Sequence, residues 1–234
     1  MIHISFSEKF LKTTFGFILI LSTLTIYFLI QVGILSLYRS AYGHFGKIGC
    51  LMSLTAIILV LSILIYKMNS RYQLLDVSVY RNIKYYKQLI ILYLCATITG
   101  TIVTFLQSIL TSYSTMTSNQ QNWNSLFKGE TANVFAVFTL AIFIAPFFEE
   151  FICRHIVFST GEKIKSPFLI LLAISASLFS MLHTPLNIFD FSKYFIIGTA
   201  LCFMYKKYNY AGSVGLHVFN NTVAIITMSL SILK

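Results

Sequence analysis

Two adjacent glutamates and an arginine interrupt one of the most apolar stretches of this sequence. Glu149 and Glu150 follow a pair of phenylalanines, and Arg154 comes four residues after Glu150. An ionised carboxylate at membrane depth is costly, so acids in such a segment mark a candidate functional site. If the segment is a helix, Glu150 and Arg154 share one face and can form an ion pair. Glu149 is rotated by about 100° around the helix axis and can face another partner. The alternative is that both acids serve only to anchor Arg154.

Two histidines lie in similarly apolar segments further along the chain. Phe179 and His183 are four residues apart, as are His217 and Asn221, so each pair shares a face if its segment is helical. Each pair also has a purely structural explanation, because His183 can be an interfacial polar residue and the second pair can hydrogen-bond neighbouring helices. With the glutamates, however, they place polar groups on three apolar segments that can converge inside a helical bundle.

Such a set contains the groups that hydrolysis needs. A carboxylate can act as a general base toward a water molecule. An imidazole or amide N–H can donate a hydrogen bond to the oxyanion of a tetrahedral intermediate. Glu149, His183, His217 and Asn221 are therefore candidate catalytic residues.

The composition indicates the elements that must position these residues. Of the 234 residues, 57% are hydrophobic and 10% are charged, whereas soluble domains carry about 25% charged residues. We therefore predict an all-α, multi-pass transmembrane bundle, since backbone groups in lipid must be satisfied within helices and no alternating strand pattern is present. The net charge of +10 does not indicate a nucleic-acid partner, because the positive residues fall in short loops between apolar segments.

Six segments are long and apolar enough to span a bilayer, which takes about 20 residues, and a seventh is short. The six are 14–38, 48–66, 89–110, 133–158, 167–183 and 211–233, and the short one, 194–205, is expected to be tilted, buried in protein or re-entrant. We thus predict about 6–7 membrane helices, with a kink or break at Pro146 and Pro167. Eleven loop lysines and arginines fall on the side of the N-terminus and five on the other side, which predicts a cytoplasmic N-terminus.

This simple topology places the two histidines at different depths. His183 ends its predicted helix near the outer side, whereas His217 lies near the inner start of the last helix. At about 1.5 Å per residue these depths are too far apart for one catalytic site. Either the segment 167–183 is displaced inward or a helix boundary differs from the predicted one.

The three motifs occur in a characteristic order: Glu-Glu-x-x-x-Arg, then Phe-x-x-x-His, then His-x-x-x-Asn. This order resembles the CPBP family of intramembrane proteases (CAAX protease and bacteriocin-processing, also called Abi). Its members include type II CAAX prenyl endopeptidases and bacterial proteins linked to bacteriocin self-immunity. The resemblance covers roughly residues 140–225. It implies a protease core at 133–234 that follows N-terminal transmembrane helices without a specific motif at 1–132, all within one integral-membrane unit.

The resemblance also implies roles for the site residues. Glu149 would activate water with the help of His183, His217 and Asn221 would stabilise the oxyanion, and Glu150 and Arg154 would form a structural pair. No cofactor is favoured, because the glutamate is then free to act as the base. The alternative is a metalloprotease in which Glu149, His183 and His217 bind zinc or another divalent metal, since this is an acceptable catalytic zinc set. The family pattern differs at Cys153 and His155, which flank the arginine.

The sequence thus predicts an intramembrane endopeptidase that cleaves a membrane-associated peptide or protein, in a bacterial plasma membrane. Bacteriocin self-immunity and peptide maturation are the biological roles that we rank first. The alternative is a non-enzymatic membrane immunity or scaffold protein that binds a toxin or partner and uses the polar residues for packing. A small transporter is less favoured, because the chain shows no internal repeat of the kind that transporters often have.

Overall fold

The computed structural model describes residues 75–112, 114–127 and 138–232, together with the isolated residues 14, 18, 20, 21, 23 and 27. All regular structure in these residues is helical, which confirms the all-α class for this part of the chain. The predicted span 48–66 lies outside the described residues. So does the predicted span 14–38, apart from the six isolated residues, which are helical.

The first long helix, α1 (Ile83–Leu110), follows a 3-10 turn at Val77–Arg81. The Asn82 side chain caps its N-terminus by accepting a hydrogen bond from the Lys84 backbone N–H at 2.9 Å. At about 1.5 Å per residue, its 28 residues are longer than the roughly 30 Å hydrocarbon core of a bilayer. α1 begins before residue 89, the predicted start of the apolar segment. Lysines in its first turns interrupt the apolar pattern but do not end the helix. A short polar helix, α2 (Ser118–Phe127), follows α1.

The helix that carries the two glutamates, α3, covers residues 139–163 in four consecutive stretches. Two of them are π-helical, Thr139–Ile144 and Phe151–Ile156, and two are α-helical, Ala145–Glu150 and Val157–Lys163. π turns are rare and occur frequently at functional sites. The change from π to α geometry falls beside Pro146, and the helix ends before Pro167, which precedes the next helix. Both predicted irregularities are therefore present.

The next helix, α4 (Phe168–Leu182), is short. Its 15 residues give a length of about 22 Å, less than the roughly 30 Å of the hydrocarbon core. α4 is therefore too short to cross the core alone, and His183 follows its last residue.

The helical run Ile188–Ile232 is divided into two helices. Tyr208 and Asn209 depart from helical backbone angles, and Asn209 has a φ of 54°, a left-handed value that asparagine adopts more readily than most residues. We name residues 188–207 α5 and residues 210–232 α6.

α5 and α6 run in opposite directions along α1. The contacts that establish this are Lys207–Gln88 and Lys193–Gln107 for α5, and Ala211–Tyr80 and Phe219–Tyr93 for α6. α5 is therefore antiparallel to α1 and α6 is parallel to it, so that α5 and α6 form a hairpin. α5 is longer than the predicted segment 194–205. Polar residues in its first turns break the apolar pattern from which that segment was predicted.

Two described stretches are long and apolar enough to cross a membrane, Ile83–Leu110 and Ile188–Leu230. The second contains both arms of the hairpin. The predicted total of six or seven spans depends partly on residues outside the described part of the chain and stays a prediction.

One buried cluster joins α1, α3, α4, α5 and α6. Its side chains include Tyr85, Leu89, Ile152, Phe179, Leu201, Met204 and Leu216. The helices approach closely at two glycines: a Cβ on Gly215 of α6 would meet the Tyr85 hydroxyl of α1, and a Cβ on Gly198 of α5 would lie 3.1 Å from the Ala176 Cα of α4. This close packing holds the motif-bearing helices against one another.

Candidate active site

Glu150 and Arg154 form a fully buried ion pair on α3, as their spacing predicts. The arginine Nη1 lies 3.0 Å from Glu150 Oε1, and neither side chain is exposed. Arg154 also donates from Nη2 to the Gly198 carbonyl oxygen on α5 at 3.1 Å. Its guanidinium carbon lies 4.4 Å from the ring centroid of Phe179 on α4. Arg154 therefore connects three helices through one side chain.

His217 on α6 is held by the same carboxylate. Its Nδ1 lies 2.8 Å from Glu150 Oε1. An ionised carboxylate can only accept, so Nδ1 is the donor. The hydrogen bond thus orients the ring and leaves Nε2 as the nitrogen that faces Glu149, 3.8 Å from Oε2.

His183 is oriented in a similar way by a backbone carbonyl. Its Nδ1 lies 2.9 Å from the Phe179 carbonyl oxygen, which can only accept, so Nδ1 again carries the hydrogen. The ring packs on Phe179 with centroids 4.6 Å apart and stacks on Tyr194 of α5 with centroids 4.2 Å apart. Its Nε2 lies 3.9 Å from Glu149 Oε2.

The three motifs therefore converge on one oxygen atom, Glu149 Oε2. This atom is buried and has no hydrogen-bond partner among the described residues. The distances to the two Nε2 atoms exceed a direct hydrogen bond, so the lone pairs of Oε2 are available to a water molecule or a substrate. The exposed fraction of the side chain is 8% for Glu149, 14% for His183 and 2% for His217. The cluster is thus most accessible beside His183.

The structure resolves the conflict in depth that the simple topology gave for the two histidines. His183 and His217 reach the same oxygen atom, and α4, with 15 residues, is shorter than a full crossing of the bilayer core. The simple topology had assumed that every apolar segment crosses the bilayer completely.

Asn221 lies one helical turn beyond His217. Its Nδ2 donates to the Ala141 carbonyl oxygen in the first π turn of α3 at 2.8 Å, and its Oδ1 accepts from Asn220 Nδ2 at 3.2 Å. The predicted catalytic amide therefore contacts α3, the helix that carries the glutamates, but at an earlier turn of α3 than Glu149. Along α6, Asn221 is about 5.4 Å, one helical turn, beyond His217.

His155 does not contact the group formed by Glu149, His183 and His217. Its Nδ1 lies 3.2 Å from the Tyr205 hydroxyl on α5, and its ring stacks on Phe151 with centroids 5.4 Å apart. Cys153, the other departure from the family pattern, is fully buried in the helix core. Both residues pack α3 rather than extending the cluster.

A divalent metal needs donor atoms of suitable chemistry and spacing. Glu149, His183 and His217 have the chemistry of a catalytic zinc set, and both imidazoles donate Nδ1–H to an acceptor, as zinc-bound histidines commonly do. In spacing they do not fit: the described part of the chain contains no group of three or more His, Cys, Asp or Glu side chains that could hold a metal ion. We derive no step through a metal.

Two aromatic residues of the site were missed by the sequence analysis. Tyr27 donates its hydroxyl hydrogen to Glu149 Oε1 at 2.7 Å, and Tyr194 stacks on His183. Neither belongs to a motif, and the chain contains 14 tyrosines. A hydroxyl within an apolar segment was the only available signal, and several tyrosines share it.

A cavity of about 170 Å³ lies next to Tyr194. Its walls come from α1, α2, α5 and α6 and from the connection before α2, with the polar residues Thr97, Thr117, Gln120, Lys193 and Asn220 among its lining. The Tyr194 hydroxyl lies 2.7 Å from that of Thr117. The same aromatic side chain thus contacts both this cavity and His183.

Residues 131–223 match the family model described as type II CAAX prenyl endopeptidase Rce1-like. The matched stretch contains the complete set of three motifs. The match confirms the resemblance predicted from the motifs. We call residues 131–223 the Rce1-like segment, and it covers less than half of the chain.

A curated relative, the UPF0177 protein YvdC of Lactococcus lactis subsp. lactis (strain IL1403), is 32% identical over 137 residues. The aligned region covers 55% of this chain and 51% of that protein. The chain therefore spans about half the length of the curated relative that it matches. The relative's name states no activity, and no solved structure matches the chain.

Proposed function

We propose that this chain is an intramembrane endopeptidase that hydrolyses a peptide bond in a membrane-associated peptide or protein. One observation carries the proposal: Glu149 Oε2 is buried without a hydrogen-bond partner among the described residues, and it faces the Nε2 atoms of His183 and His217. A carboxylate oxygen in this position is suited to act as a general base. The Rce1-like segment supports the same class of reaction.

In the proposed reaction, Glu149 Oε2 removes a proton from a water molecule while the water oxygen attacks the substrate carbonyl carbon. The C–N bond breaks when the tetrahedral intermediate collapses, and Glu149 transfers the proton to the departing amine. His183 presents a lone pair at Nε2, because its Nδ1–H is held by the Phe179 carbonyl. This lone pair can accept a hydrogen bond from the same water and orient it.

His217 and Asn221 are the proposed donors to the oxyanion. His217 can donate from Nε2 only when both ring nitrogens carry hydrogen, and Glu150 is placed at Nδ1 to balance that charge. The Asn221 amide has a second hydrogen beyond the one given to Ala141. Donors aimed at the developing oxyanion are among the largest contributions to acyl-transfer catalysis.

Glu150 and Arg154 have a structural role in this proposal. A buried carboxylate needs compensation, and Arg154 supplies it while connecting α3 to α5. The pair thus holds α3 in a position that lets Glu149 face the two histidines.

A metal-dependent reaction is the alternative mechanism. Its ligands would be Glu149, His183 and His217, whose present spacing does not match a metal site, and zinc or another divalent ion would supply Lewis-acid chemistry there. We favour the metal-independent form, because Glu149 Oε2 is then free to accept the proton. The biological roles that we propose are bacteriocin self-immunity or peptide maturation, in a bacterial plasma membrane with a cytoplasmic N-terminus.

The deciding experiment compares detergent-purified wild type with Glu149→Gln and Glu162→Gln. Glu162 is the control, because it is an acid on α3 that lies outside the group formed by Glu149, His183 and His217. Each protein is incubated with a library of membrane-anchored peptides, with and without a chelator, and the products are identified by mass spectrometry. We expect Glu149→Gln to lose about 10²- to 10⁴-fold in rate, the usual contribution of a general base, while Glu162→Gln retains wild-type cleavage.

Each other outcome would change the conclusion. A folded Glu149→Gln protein with wild-type activity would show that the site is misassigned. Inhibition by the chelator, reversed by adding zinc, would favour the metal mechanism. A folded wild-type protein that cleaves nothing in the library would favour the non-enzymatic alternative, a membrane immunity or scaffold protein that binds a toxin or partner.

A further inference from the structure

Tyr27 contributes to the site from outside the Rce1-like segment. Its hydroxyl donates to Glu149 Oε1 at 2.7 Å across 122 residues of sequence. The side chain is buried, with a residue exposure of 4%. Its ring stacks on Phe148, the residue before Glu149, with centroids 5.6 Å apart and planes 15° apart. Tyr27 therefore contacts two consecutive residues of the motif helix.

This contact distinguishes the two oxygen atoms of Glu149. Oε1 accepts from Tyr27, whereas Oε2 has no hydrogen-bond partner among the described residues and faces the two imidazoles. A partial rotation of the carboxyl group would move one oxygen away from the Tyr27 hydroxyl and the other away from the two imidazoles. A hydrogen bond to a charged group is also stronger than one between neutral groups. The Tyr27 hydroxyl is thus placed to fix the orientation of the carboxylate, with one oxygen held by the tyrosine and the other facing the two imidazoles.

We propose that Tyr27 is a positioning residue for the general base, which fixes the Glu149 carboxylate with Oε2 toward His183 and His217. The inference rests on the proposed endopeptidase function. Tyr27 lies before residue 131, where the matched segment begins. The N-terminal part of the chain therefore also contributes to the site.

Tyr210 offers a matched control within the same helix contact. Its hydroxyl donates to the Phe147 carbonyl oxygen on α3 at 2.7 Å, and its side chain is buried. Tyr27→Phe and Tyr210→Phe therefore each remove one buried hydroxyl that bonds to α3, and each leaves the aromatic ring in place. Of these two hydroxyl groups, only that of Tyr27 donates a hydrogen bond to the Glu149 carboxylate.

The first measurement is the steady-state kinetics of both variants on a peptide that wild type cleaves. We expect Tyr27→Phe to lower kcat about 10- to 100-fold, as loss of a hydrogen bond to a charged group predicts, with KM within about twofold because ground-state binding is unchanged. Tyr210→Phe should keep both parameters within about twofold of wild type. Wild-type kcat in folded Tyr27→Phe, or an equal loss in both variants, would overturn the proposal.

The second measurement does not depend on proteolysis. Dicyclohexylcarbodiimide reacts with protonated carboxyl groups in apolar surroundings, and mass spectrometry of the digested protein reports labelling at Glu149. Loss of the Tyr27 donor destabilises the ionised carboxylate, so we expect Glu149 to be labelled at least about threefold faster in Tyr27→Phe than in wild type or Tyr210→Phe. Glu162 is exposed and should stay unlabelled in all three proteins, so it serves as the negative reference.

The two measurements separate the inference from the function on which it rests. Equal labelling of Glu149 in all three proteins would overturn the role of Tyr27, even if wild type is an active protease. Faster labelling in Tyr27→Phe alone, in a chain that cleaves no peptide, would support the contact and reject the endopeptidase function.

Discussion

The two adjacent glutamates of α3 have nearly the same sequence context and very different surroundings. Glu150 is fully buried, and its Oε1 contacts both the Arg154 guanidinium and the His217 imidazole. Glu149 has an 8% exposed side chain, a neutral tyrosine as donor at Oε1, and an Oε2 that faces two imidazole nitrogens. A rotation of about 100° about one helix axis separates the two environments.

This difference shows how one helix can hold a structural acid and a reactive acid next to each other. The charge of Glu150 is compensated by an arginine that also connects three helices. Glu149 lacks such a cationic partner among the described residues other than the histidines, so its lone pairs can serve chemistry. Substitutions on the two sides should therefore affect stability and activity separately.

The largest effect on stability is expected at Arg154. Arg154→Met leaves the buried Glu150 carboxylate without its cation, which typically costs about 3–5 kcal/mol in the free energy of unfolding. The measurement is the thermal unfolding of the detergent-solubilised protein. We expect the midpoint of Arg154→Met to fall far below that of Glu149→Gln.

A second variant controls for the loss of side-chain packing. Glu150→Gln combined with Arg154→Met removes both charges and should recover part of the lost stability, because the buried carboxylate is then absent. If Arg154→Met unfolds at the wild-type temperature, the structural role of the pair is wrong.

His183 should show the opposite pattern, a loss of activity that is larger than the loss of stability. Its ring carries no buried charge, although it packs against Phe179 and Tyr194. We expect His183→Ala to lower kcat by about 10²-fold, at the lower end of the range for a group that acts in proton transfer, while the unfolding midpoint falls less than that of Arg154→Met. A fully active, folded His183→Ala protein would remove this residue from the mechanism.

The smallest effect is expected at His155, which lies on the same helix and outside the cluster. Its hydrogen bond to Tyr205 is worth about 1 kcal/mol in stability, and its ring stacks on Phe151. His155→Phe should retain the aromatic packing and change the cleavage rate by less than about twofold. A large loss of activity in this variant would mean that the catalytic cluster extends further along α3 than the contacts indicate.

Local features of the site could be predicted from sequence. Glu150 and Arg154 are four residues apart, and a helix brings such residues together whatever the rest of the fold does. The same spacing put Phe179 beside His183, whose rings are in contact. The order of the three motifs was sufficient to identify the Rce1-like segment.

Other features could not be predicted, because they depend on contacts between distant segments. The position of His183 beside Glu149 depends on the length of α4 and on its packing against α5, neither of which appears in the spacing of the motif. Tyr27 reaches Glu149 across 122 residues and resembles any other tyrosine in an apolar segment. The division of the chain at residue 132 and the six or seven membrane spans stay predictions.

The sequence by itself determined the residue types, the helical phase within each motif and the apolar character that makes the chain helical. These properties follow from the 3.6-residue helical repeat and from the need to satisfy every backbone group in lipid. Only the tertiary structure decided that Oε2 of Glu149 faces two imidazoles while its Oε1 accepts from Tyr27. That choice depends on how α3, α4 and α6 pack against one another and on a side chain far from all of them in sequence.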